Sequence, residues 1–250
     1  MTFQLLLTLF VSVLLTSFLS GIFGMLGGTI LLAILLQLFA PATAMALHGI
    51  TQITSNVWRA ILWRKYINRA VLPGFFIGLL ISLLIFTWLQ IQFDLRFIYL
   101  FLGILPFLHL VLPQAKGLDI TRPGLSYAVG FVSSSLMLSS GLSGGFLDQS
   151  FINSPMERRQ QIATKALVQV VGHLSKTFYF TLLLRQVNDW HEITWISAAI
   201  LISASMLGNS LATKPVQRMK QENFKKYSTW LLYGLGVFFL YKATILFYVS

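Results

Sequence analysis

The sequence predicts an all-α polytopic membrane protein made of two inverted repeats, with glycine-broken or re-entrant helices and about 8–10 membrane segments. Three observations carry that prediction. Hydrophobic residues make up 56% of the 250-residue chain and charged residues 10%, where a soluble domain carries about 25% charge. A pattern of glycines and polar residues occurs twice at a gap-free offset of 117 residues, as from Gly27 to Gly144. The loop charges then sort onto one side when both copies of the glycine-broken stretch return to the side they came from.

Taken in order, the apolar stretches cover 3–40, 42–62, 70–89, 95–113, 123–154, 160–184, 193–213 and 228–249, and a span needs about 20 residues. No Lys or Arg precedes the first stretch. It therefore lacks the basic n-region of a signal peptide and reads as a retained span. It is too long for one helix and contains Gly21, Gly24, Gly27 and Gly28. Its fifth counterpart contains Gly141, Gly144 and Gly145. Each of these two stretches is one long span, a re-entrant hairpin or two crossings.

Charge arbitrates between topologies. If every stretch crosses once, the basic residues divide nearly equally between the two sides. If stretches one and five return to their starting side, Arg64, Lys65, Arg69, Lys116, Arg122, Arg158, Arg159, Lys214, Arg218, Lys220, Lys225 and Lys226 share one side. Only Arg96 and Arg185 face the other. Cytoplasmic loops carry the Lys/Arg excess, so the second topology is preferred. It places both termini outside the cytoplasm. It also gives each half an odd number of crossings, which inverts one half relative to the other. The halves are 1–113 and 123–250, joined by a cytoplasmic linker at 114–122.

The net charge of +11 lies in short loops between apolar stretches, where it orients the protein and meets anionic lipid rather than nucleic acid. The chain has no cysteine, which excludes a disulfide framework, thiolate metal sites and a cysteine relay. There is no His-Glu-x-x-His run, no histidine pair at metal spacing and no phosphate-binding loop. No metal, no cofactor and no catalytic residue is expected, and the chain is not an ATP-driven pump by itself. Ser143 in Gly-Leu-Ser-Gly-Gly lacks the strand–turn–helix context of a nucleophile.

The glycine groups let a helix stop and restart. The restarting helix aims free N–H groups and its positive dipole end at the break, which suits an anion. A single glycine cluster reads equally as tight helix packing; its recurrence favours the site. Substrate contact is expected at Gly27, Gly28, Gly144 and Gly145. Asp148 stands where the first half has Leu31, either capping its half-helix or coupling a proton or cation. Gln149, Ser150, Asn153 and Ser154 make that half-helix the wetter one.

Two polar rows follow. His48, Gln52, Asn56 and Arg59 lie on one helical face at 4-4-3 spacing, and Lys165, Gln169, His173 and Lys176 repeat it. Lipid tolerates such a row only against protein or a wet cavity. Gln52, Asn56, Gln169 and His173 are expected to bind substrate, since amides donate hydrogen bonds to an anion, with interhelical glue as the alternative. Arg59, Lys165 and Lys176 attract the anion or snorkel to the surface. His173 binds substrate, shuttles a proton or packs as a neutral ring. His109 and His191 have no partner in the repeat.

At these residues the chain resembles the sulfite exporter TauE/SafE family of bacterial membrane proteins. The resemblance rests on Gly21-Ile-Phe-Gly-Met-Leu-Gly-Gly28, its copy Gly141-Leu-Ser-Gly-Gly145, and Thr164-Lys-Ala-Leu-Val-Gln-Val-Val-Gly-His-Leu-Ser-Lys176. It implies transport of sulfur-containing anions such as sulfite, sulfoacetate and related sulfonates across the cytoplasmic membrane. Where the family commonly has a proline and an apolar run after the glycines, this chain has Thr29-Ile-Leu-Leu and Phe146-Leu-Asp-Gln. The expectation is a secondary transporter working by alternating access. Its partners are a small anion, the bilayer and a coupling proton or cation, and the fold is compatible with a homo-oligomer. The rivals are an anion channel and, further off, a membrane-embedded enzyme or structural subunit.

Overall fold

The computed structural model describes residues 2–23, 26–91, 93–104, 107, 119–152, 154–183, 194–218 and 221–249, which are helical or in turns without a strand. Gly24, His109, Lys116, Asn153, Arg185, His191 and Lys220 lie outside the described residues, as do the side chains of Gln149, Arg158, Arg218, Lys225 and Lys226. The first half forms α1 (Phe3–Phe23), α2 (Leu26–Leu38), α3 (Pro41–Leu62), α4 (Leu72–Leu89) and α5 (Leu95–Ile104). The second forms α6 (Leu125–Ser140), α7 (Gly144–Ile152), α8 (Arg158–Phe178, continued by a π turn Tyr179–Leu183), α9 (Trp195–Arg218) and α10 (Gln221–Val249).

Local sequence sets these boundaries. Pro41 and Pro73 sit in the first turns of α3 and α4, where a missing N–H costs nothing. Glu157 and Gln160 form a capping box that starts α8. Gly141 stops α6 at φ 81°, a left-handed conformation that other residues adopt only at a cost.

Length explains the two glycine breaks. At 1.5 Å per residue, the 21 residues of α1 extend about 31 Å, enough for a bilayer core. The 13 residues of α2 reach only about 20 Å and the 9 of α7 about 14 Å. Each short helix folds back along the helix before it. A Cβ at Gly27 would strike the Thr16 carbonyl and Ser20 on α1. The Ser150 carbonyl near the end of α7 accepts the Ile120 N–H, beside the start of α6.

Among the described residues, three helices are long and apolar enough to cross a membrane, over Phe3–Ile22, Arg69–Leu89 and Trp195–Ala212. They belong to α1, α4 and α9. The comparably long α3 and α8 are too polar to qualify, because they carry the two polar rows and pack on each other. Four pairings dominate the bundle: α1 with α9, α4 with α6, α3 with α8, and α5 with α10. Exchanging equivalent helices of the two halves turns the first pairing into the second and leaves the others unchanged.

The directions of these pairs are informative. In α1–α9, Gly208 packs on Leu14 and Phe18 while Gly21 meets Asn209 and Ala212, so the helices run parallel. In α4–α6, Gly74 packs on Ser126, Gly78 on Phe131, and Ser82 bonds Ser135 at 2.9 Å, again parallel. Between α3 and α8, Gly49 meets Thr177 whereas Tyr66, beyond the end of α3, accepts from Arg159; this pair is antiparallel. So is α5–α10, where Phe97 packs on Phe247 and Phe107 on Tyr233. Small residues at the parallel contacts let the backbones approach, as in membrane bundles generally.

These directions gather Arg64, Lys65, Arg69, Arg122, Arg159 and Lys214 at one end of the bundle. Asp94 and Arg96 pair at the other end. There Trp88, Trp195 and Tyr248 are 83%, 92% and 87% exposed, an aromatic belt of the kind found at a membrane–water interface.

Candidate functional site: a cationic cavity between the glycine breaks

The bundle holds a small, partly open cavity of about 20 Å³ to which both halves contribute. The first half supplies Gly28, Gln52 and Arg59, the second Ser143, Gln169 and His173, with Met137 and Leu142 closing it. The repeat places Gln52 and Gln169 in equivalent positions, and both reach this one space. A cavity of that volume holds about one water and is tighter than a sulfur oxyanion requires. A neighbouring cavity of about 10 Å³ shares Met137, Ser143 and Gln169 and adds Ser133 and Ser134, whose hydroxyls are buried without a partner.

The lining is basic and amide-rich. Arg59 donates from Nη2 to Asn56 Oδ1 at 2.7 Å, and Asn56 donates from Nδ2 to the Gln52 carbonyl at 2.8 Å. Arg59 Nε is buried with no acceptor, and His173 Nδ1 has no partner either. Such atoms carry a cost until something bonds them. Arg59 is the only charge among the described lining residues, and no carboxylate is among them; Asp148, outside the wall, acts on Arg59 only through space. The arrangement is chemically suited to an anion that accepts from a guanidinium, amides and an imidazole.

Behind this wall, His48 and Lys176 join the two breaks. His48 Nε2 lies 3.0 Å from the Gly28 carbonyl, so it carries the proton and donates. Its Nδ1 then accepts from Lys176 Nζ at 2.7 Å. Lys176 also donates to the Gly141 carbonyl at 3.3 Å. Lys176 does not snorkel: it is 0% exposed. The reason is that α8 continues through the π turn to Leu183, which leaves Lys176 nearly two turns inside the helix end.

The other basic members of the rows also find partners within the protein. Arg59 lies against the cavity and Asn56 instead of extending to the surface. Lys165 forms an ion pair with Asp148, their side chains 17% and 25% exposed. That pairing joins α7 to α8 and places Asp148 one turn past Gly144, where α7 begins. Sequence periodicity missed it because the partners are 17 residues apart on different helices.

Gly28 lines the cavity, and a Cβ there would sit 3.2 Å from the Gln52 amide. Gly27 faces α1 as a packing glycine. Gly144 and Gly145 open α7, and only their backbone course is described.

A model of the family described as sulfite exporter TauE/SafE matches residues 9–239. The chain belongs to the sulfite exporter TauE/SafE family. It matches no curated protein and no solved structure. TauE/SafE proteins are membrane transporters of sulfur anions, and the match takes in every helix that builds the cavity.

Proposed function

We propose that this TauE/SafE member is a secondary transporter that carries a small sulfur-containing anion across the bacterial cytoplasmic membrane by alternating access. The observation that carries this reading is a buried cavity shared by both repeats, lined by Arg59 and without a carboxylate. The anion would occupy this cavity, accepting from Arg59, His173 and the amides of Gln52 and Gln169. Sulfite, sulfoacetate and related sulfonates have the oxygens and the charge for these donors.

The two halves, 1–113 and 123–250, are read as an inverted repeat. Support comes from the antiparallel packing of α3 on its own repeat mate α8, and of α5 on α10. Mates related by an axis along the membrane normal would run parallel; an axis in the membrane plane makes them antiparallel. With the basic end of the bundle in the cytoplasm, both termini lie outside. Rocking of one half on the other then opens the cavity to either side in turn.

Uptake of radiolabelled sulfite, thiosulfate and sulfonates into proteoliposomes tests this. Saturable exchange and accumulation are expected, with strong losses in Gln52→Ala and Gln169→Ala. Folded variants that both transport at wild-type rates would place the site elsewhere. Ohmic currents in place of exchange would make the protein a channel.

A further inference from the structure

Among the described residues, Lys176 has no countercharge. Among the described carboxylates, Asp94 pairs with Arg96, Asp119 with Arg122 and Thr121, Asp148 with Lys165, and Glu157 caps α8. The described groups around Lys176 bring no negative charge: its hydrogen-bond acceptors are the neutral His48 ring and the Gly141 carbonyl. From α3 comes His48, and farther along the same helix the cation Arg59. From α8 itself comes His173, whose ring lies 5.5 Å from that of His48. The second glycine break offers only the Gly141 carbonyl. Tyr179, one turn on, is committed to the Phe86 and Ile91 carbonyls.

A wholly buried ammonium served only by neutral acceptors is costly, because dipoles replace hydration incompletely. An anion in the adjoining cavity supplies the missing charge. Leu142 and Ser143 of the cavity wall follow Gly141 directly, and Gly28 of the opposite wall is held by His48. A proton on Lys176 and an anion in the cavity therefore favour each other, and by linkage each raises the other's affinity by the same factor.

Resting on the transporter reading above, we propose that Lys176 is the coupling residue of this transporter, carrying one proton across with each anion. On loading, the amine takes a proton from the aqueous side as the anion enters; on release, the ammonium returns it as the anion leaves. Only an N–H bond forms and breaks. The string Gly28 carbonyl–His48–Lys176–Gly141 carbonyl spans both breaks. Loss of the charge on Lys176 therefore weakens the charge-assisted bonds that tie the two halves, linking the proton to the rocking step.

The experiment uses the full chain in proteoliposomes with membrane potential clamped and a pH-sensitive dye inside. The probes are radiolabelled thiosulfate and sulfoacetate, whose charge is constant near neutral pH. In the wild type, an acid exterior should drive accumulation, and anion entry should acidify the lumen. Lys176→Arg, permanently charged, and Lys176→Met, never charged, should each lose pH-driven accumulation by about tenfold or more relative to their own anion counterflow. PH-driven accumulation that persists in Lys176→Arg overturns the proposal. So does wild-type anion entry with no movement of protons, a readout that needs no variant. If wild-type protein moves neither anion nor sulfite, the transporter reading itself has failed, a result distinct from uncoupled flux.

Discussion

The corner between α2 and α3 and the corner between α7 and α8 occupy equivalent places in the repeat, yet different chemistry holds each. In the first, Leu31 is fully buried and His48 donates to the Gly28 carbonyl. In the second, Asp148 replaces Leu31, Lys165 replaces His48, and the two form a partly exposed ion pair. A dry hydrogen bond inside an apolar shell resists opening, whereas water can take over an ion pair at the edge of the bundle. The second corner is thus the one built to part from its neighbour at low cost. A second contrast runs deeper in the same rows. Arg59 stays with its own half and faces the cavity; its mate Lys176 crosses over to His48 of the other half.

The largest expected effect follows from that second contrast. Arg59→Gln removes the only described charge in the cavity wall while keeping a neutral, shorter donor. Truncating one side of a buried charge-assisted contact costs about 2–5 kcal/mol, so anion affinity should fall at least about thirtyfold. Equilibrium binding of thiosulfate to detergent-solubilised protein measures it. An unchanged affinity would remove Arg59 from the site and, with it, the distinction drawn between the two cations.

The first contrast predicts a smaller change, in stability. Asp148→Leu alone leaves Lys165 unpaired in a mostly buried position, at a cost of about 1–3 kcal/mol after allowance for its exposure. Adding Lys165→His restores the Leu and His that the first half has at these positions, removes the unpaired charge and should recover most of the loss. Thermal unfolding in detergent reads both variants. If the double variant is no more stable than the single one, the ion pair is not what holds α7 to α8.

The sequence and the structure agree where periodicity and length decide. Two glycine groups at a fixed offset pointed to two broken stretches but left a long span, a re-entrant hairpin and two crossings open; the structure shows short return segments, α2 and α7. The 4-4-3 rows put Gln52 and Gln169 on the inner faces of α3 and α8, because a polar stripe on an apolar helix has nowhere else to go. Contacts between elements were not legible in the same way. Lys176 looked close enough to a helix end to snorkel, since nothing in the local sequence marks the π turn that extends α8. The Asp148–Lys165 pair depends on how α7 folds back, and a helical repeat carries no information about that.

The smallest effect is expected at the pair that differs only by neutral groups. Asn56 and His173 are mates in the repeat, but Asn56 spends its amide on Arg59 and the Gln52 carbonyl, while His173 Nδ1 lacks a partner beside the cavity. His173→Asn makes the second row match the first. It sets an amide close to the place of Nδ1 but gives up Nε2 and the ring, so at most a neutral hydrogen bond worth about 0.5–1.5 kcal/mol is lost and affinity falls up to about tenfold. The pH-driven accumulation ratio should stay intact if Lys176 is the coupling residue, because His173 then binds the anion without carrying its proton. Loss of that ratio in His173→Asn, at retained counterflow, would move the coupling role from Lys176 to the imidazole and make the asymmetry of Asn56 and His173 the functional one.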